Sequence, residues 1–199
     1  MGLVLQIWAA GFYLLNKFLF AVAEKKQGES RKKLKMGAWI SYLIGVCAWI
    51  VILAGENNWI ATAVEAGGIP AMLLGLYNTY HNNKKHNKYF NRFVLLFTYL
   101  SLALGFGYSI IIHNGVTRVS QVLEMGMVFG FLLGSYFMAK NNPKGWLFFM
   151  LMNVSAGTLM LLQDKLILVV QQLLSLSLVI YGYYSSQKKG RYNKKLKSI

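Results

Sequence analysis

Seven apolar runs, each about 20 residues long, set the first limit on this chain. They lie at roughly 2–23, 36–54, 58–80, 93–113, 119–139, 145–163 and 166–186. At about 1.5 Å of rise per residue, a helix of about 20 residues spans the ~30 Å of bilayer hydrocarbon. The runs are continuous rather than alternating, and backbone in lipid must satisfy its own hydrogen bonds, so strands are disfavoured. Composition agrees. Of the 199 residues 56% are hydrophobic and only 14% are charged, where a soluble domain carries about 25% charge. The expected fold class is an all-α membrane protein with seven transmembrane helices in one domain over 1–199, ending in a basic tail over 187–199. The single Cys47 leaves no internal disulfide and reads as helix packing.

The net charge of +15 collects in the connections. "EKKQGESRKKLK" holds Lys25, Lys26, Arg31, Lys32, Lys33 and Lys35, and "HNNKKHNKYFNR" holds Lys84, Lys85, Lys88 and Arg92. Lys140 and Lys144 follow, then Lys188, Lys189, Arg191, Lys194, Lys195 and Lys197 in the tail. The connections on the opposite side offer only Arg118 and Lys165. This bias places the N-terminus outside and the C-terminus in the cytoplasm of a bacterial inner membrane. It also accounts for the charge without nucleic acid, so membrane lipid is the expected surface partner. Lys17, inside the first run, is expected to snorkel toward the cytoplasmic end. "AVA" before Glu24 resembles a cleavage site, but no Lys or Arg precedes the run, so a retained helix is expected.

A shift of 107 residues overlays Trp39 on Trp146, Gly75 on Gly182, Tyr77 on Tyr184 and Glu65 on Gln172 without a gap. The second and third segments thus pair with the sixth and seventh, and "QIWAAGF" of the first sits beside "QVLEMGM" of the fifth. The expected layout is a 3+1+3 parallel repeat: helices 1–3 over about 2–80, a linker helix over 93–113, and helices 5–7 over 119–186. Such repeats place a substrate site between them near the midplane.

Two carboxylates enter this hydrocarbon, Glu65 and Glu124. Ionisable groups at such depth mark functional sites by default. No Arg, Lys or His is expected at their depth, which points to an aqueous cavity or a visiting cation. The competing reading is a protonated carboxyl bonded to neighbouring helices. In "GWLFFMLMNVSAGT", Trp146, Phe149 and Asn153 fall at i, i+3 and i+7, on one helical face. Two aromatic faces with an amide beside them suit a planar heterocycle, though an interfacial Trp with interhelical Asn has the same spacing. Trp39, Tyr77, Tyr183 and Tyr184 read as aromatic belt. Gly67, Gly68 and Pro70 can bend the third helix. No HExxH, G-x-S-x-G or phosphate-binding Gly loop occurs, so neither an enzyme nor a metal or cofactor site is expected.

These residues resemble the PnuC family of bacterial vitamin-precursor transporters, best known for nicotinamide riboside. "WLFFMLMN" looks like the family's W-x-x-W-x-x-x-N motif, with Phe149 in place of the second Trp. Glu124 stands upstream of it, and Glu65 and Gln172 each precede a helix-end Gly. The resemblance implies a SWEET-like 3+1+3 fold and facilitated diffusion, with phosphorylation by a cytoplasmic kinase as the trap. It further implies substrate contacts from Trp146, Phe149, Asn153, Glu65, Glu124 and Gln172, and leaves a homo-oligomer open. Nicotinamide riboside and thiamine carry a fixed positive charge, which carboxylates and aromatic faces would offset; relatives carry thiamine or riboflavin. The rival readings are a SWEET-type sugar carrier, against which Pro70 is matched only by Ser177, and a non-transporting membrane receptor.

Overall fold

The computed structural model describes residues 2–81, 88–140 and 142–196, with side chains described to 187. Seven α-helices form: α1 Leu3–Lys25, α2 Gly28–Gly55, α3 Trp59–Tyr80, α4 Lys88–His113, α5 Val119–Ala139, α6 Gly145–Leu162 and α7 Leu166–Leu196. All seven are long and apolar enough to cross a membrane, and no strand occurs among the described residues. The chain has the architecture of a multi-pass membrane protein.

Three boundaries differ from the apolar runs. α2 begins at Gly28 rather than near 36, α4 begins at Lys88 rather than near 93, and the basic tail is helical to Leu196. Glu, Arg, Lys and Leu are strong helix formers, so a basic stretch beside an apolar run extends the helix instead of ending it. Ion pairs then tie the start of α2 back to α1: Glu24 meets Arg31 at 3.0 Å and Lys35 at 3.4 Å. Lys84, Lys85 and His86 lie outside the described residues, as do the side chains of the lysines and arginine from 188 onward. α3 runs through Pro70 as one helix, although Pro70 cannot donate to the carbonyl of Ala66.

Six helices close into a ring in which α1 packs on α2, α2 on α3, α3 on α5, α5 on α6, α6 on α7 and α7 on α1. This order maps onto itself when α1, α2 and α3 are exchanged with α5, α6 and α7. α4 packs on α3 outside the ring and exposes Phe93, Leu96, Tyr99, Leu100, Leu104 and Ile111, as a lipid-facing helix should.

The 107-residue offset reappears in the backbone. Where α2 turns into α3, Asn57 takes a positive φ of 57°; where α6 turns into α7, Asp164 takes one of 56°. Asn and Asp are the non-glycine residues most tolerant of this conformation. Asn58 N–H donates to Leu53 O at 3.0 Å and Lys165 N–H to Met160 O at 2.9 Å, the same bond at the same offset. Side-chain packing repeats too. A Cβ added at Gly75 would run into the Trp39 indole, and one added at Gly182 into the Trp146 indole. Each half thus seats one tryptophan against a helix whose backbone only glycine brings close enough. Trp39 is therefore not an aromatic-belt residue: it is 1% exposed and meets Phe20 edge-on at 4.9 Å.

Candidate functional site

Aromatic side chains reach across the ring interior. The Tyr13 hydroxyl on α1 donates to Met152 Sδ on α6 at 3.2 Å. Tyr42 on α2 meets Phe131 on α5 edge-on at 5.6 Å, and Tyr13 meets Tyr42 at 5.5 Å and Trp49 at 5.8 Å. Into this group projects Lys17. Its Nζ lies 3.3 Å from the centroid of Phe149, 5.0 Å from that of Tyr13 and 5.5 Å from that of Tyr42. All three fall within the ~6 Å over which a cation is attracted to a ring face.

Two expectations fail here. Lys17 does not snorkel to a membrane surface; it is 0% exposed. A basic group and Glu65 are thus buried in one bundle. They do not close to an ion pair, and neither Lys17 Nζ nor Glu65 Oε2 has a hydrogen-bond partner. The cause is the face on which Lys17 sits. Tyr13, Lys17, Phe20 and Glu24 follow at i, i+4, i+7 and i+11 along α1, one stripe, and all four are buried.

The six residues expected at a site are all buried, none more than 5% exposed. Phe149 carries the Lys17 ammonium on its face and lies against Gly134 of α5. Asn153, one turn further along α6, donates from Nδ2 to Phe149 O at 2.6 Å and leaves Oδ1 without a partner. Glu65 is buried, with an Oε2 that has no hydrogen-bond partner. Gln172, its counterpart in sequence on α7, presents an unpartnered Oε1, and Trp146 an unpartnered Nε1, its six-membered ring packed on Gly182. The structure thus sets Phe149 directly on Lys17, with Asn153 one turn further along α6.

Glu124 has a different engagement. Its Oε2 accepts the Ala61 N–H at 3.1 Å, and the Ile60 N–H also bonds to it. Both donors sit in the first turn of α3, where backbone N–H groups lack intrahelical partners and the helix dipole favours negative charge. A carboxylate from α5 therefore caps α3, one turn before Glu65.

Lys17, Tyr13 and Tyr42 were absent from the expected set. Tyr42 carried a usable signal, because Phe149 stands 107 residues after it. The two rings beside Lys17 are thus related by the same offset in sequence. Gln171 and Ser175 on α7 add further buried atoms without partners.

At one end of the bundle the Asn57 and Asp164 turns meet. Lys165 Nζ lies 2.7 Å from Glu56 Oε1. Asn58 and Gln163 exchange two amide bonds, Nδ2 to Oε1 at 3.2 Å and Nε2 to Oδ1 at 3.0 Å. Glu56 and Gln163 are 107 residues apart, as are Asn58 and Lys165. The ion pair and the amide pair are therefore one contact made twice, with different chemistry each time.

The chain matches no known family model, no curated protein and no solved structure.

Proposed function

We propose that this chain is a membrane carrier for a vitamin-type aromatic heterocycle, working by facilitated diffusion between two three-helix repeats in parallel 3+1+3 order. The observation that carries this reading is the ring interior itself. Glu65 Oε2, Gln172 Oε1, Asn153 Oδ1 and Trp146 Nε1 are all buried without a hydrogen-bond partner, and they come from α3, α6 and α7. Such atoms cost stability wherever they occur. Several of them on helices of one apolar bundle suit a protein that exchanges a polar ligand there.

The resemblance to the PnuC family supplies the first substrate to test, nicotinamide riboside, with a cytoplasmic kinase trapping the product. The lysine and arginine distribution supports a bacterial inner-membrane location, with the α2–α3 and α6–α7 turns outside. On this reading the Glu56–Lys165 and Asn58–Gln163 contacts close the outer mouth and must open for substrate to enter.

The test is a binding screen on the purified chain with nicotinamide riboside, thiamine, riboflavin and a simple sugar, read by thermal shift and tryptophan fluorescence. A ligand at 100 times its Kd should add about 2.7 kcal/mol to stability. A heterocycle that stabilises the protein, and crosses vesicles to an equilibrium that a pH gradient does not change, supports the reading. Silence for all four ligands removes it.

A further inference from the structure

Lys17 bears on what the interior accepts. A cationic ligand would suit an interior of carboxylates and aromatic faces with no basic group among them. The structure fills that arrangement from within: the ammonium stands over Phe149, with Tyr13 and Tyr42 beside it, and Glu65 is buried in the same bundle.

We infer that Lys17 occupies the cation position of this interior itself, so that the ligand is an uncharged or anionic aromatic heterocycle bearing an acceptor oxygen, and fixed cations are rejected. The inference rests on the carrier reading and narrows its substrate. A ligand ring stacked on Phe149 must move the ammonium aside. The lysine stem starts from a fully buried position on α1, so the charge stays in the interior. A second positive charge a few ångströms away in a poorly screened space is strongly repelled. A ring carbonyl or carboxylate has the opposite effect. The ammonium has three donors, Nζ has no hydrogen-bond partner in the protein, and an acceptor oxygen would receive a charge-assisted bond. The ring above would still gain the Tyr42 and Phe149 faces.

The experiment compares the full chain with Lys17→Met and Lys17→Arg by titrating riboflavin, which is uncharged and carbonyl-bearing, against thiamine and nicotinamide riboside, both fixed cations. The wild type should prefer riboflavin to either cation by about tenfold or more. Lys17→Arg keeps the charge and should keep that order, while Lys17→Met should abolish the preference by tightening cation binding and weakening riboflavin. Should Lys17→Met prove unstable, Lys17→Met with Glu65→Gln removes both charges and must likewise abolish the preference. Cations binding the wild type as tightly as riboflavin would overturn the inference, and so would a preference unchanged in Lys17→Met, while leaving the carrier reading intact. Silence of every protein toward every ligand would overturn the carrier reading, and the inference with it.

Discussion

The α2–α3 pair and the α6–α7 pair are built on one plan and equipped differently. Both seat a tryptophan on a glycine, Trp39 on Gly75 and Trp146 on Gly182. Both turn through a left-handed residue with the same backbone bond. Where side chains face the ring interior the likeness ends: Tyr42 is answered by Phe149 and Glu65 by Gln172. Backbone packing tolerates little change, because a shift of a few tenths of an ångström is felt throughout a close-packed interior. Interior polar positions have no such constraint and are free to become a chemically one-sided site.

The largest effect should come from the shared framework. Trp39→Ala and Trp146→Ala should each lose about 3–5 kcal/mol, the usual range for a buried tryptophan, seen as matched falls in thermal midpoint. If Trp146→Ala leaves the midpoint near wild type while Trp39→Ala lowers it, the two tryptophans have parted company and Trp146 serves a ligand rather than the helix pair.

Glu65→Gln makes the halves alike at that position. If Glu65 offsets the Lys17 charge, its loss leaves a buried ion alone, at a cost of roughly 3 kcal/mol. Chemical unfolding of Glu65→Gln, Lys17→Met and the double variant measures this, and the double variant should regain most of the loss. Additive losses would mean that the two charges do not communicate.

The smallest effect belongs to the crossed turns. Glu56 and Lys165 are about a quarter exposed, where an ion pair is worth about 0.2–1 kcal/mol. Glu56→Gln should barely move stability. It should raise the rate at which a thiol reagent labels a cysteine placed at Asn153, if the turns close one mouth of the ring. Unchanged labelling would show that they do not.

Much of the framework was legible in the sequence. Run length gives the seven helices, and the 107-residue offset anticipates the repeated tryptophan–glycine seats. The centre was less so. Depth along a helix does not say which way the Lys17 side chain points. The stripe Tyr13, Lys17, Phe20, Glu24 does, because a charged and aromatic face in an apolar helix turns toward the bundle. Glu124 shows a different limit. Its role depends on the start of α3 lying beside α5, a contact between segments that no periodicity within either one encodes.

The paired turns also bear on how the molecule assembles. Were the first half to dock on a second copy of itself, Glu56 would face Asn58 twice; two copies of the second half would set Gln163 against Lys165 twice. Neither arrangement joins opposite charges or makes the reciprocal amide pair. Only a first half meeting a second half gains both, so the junction discriminates between correct and incorrect partnering of the halves while contributing little to the stability of the finished fold.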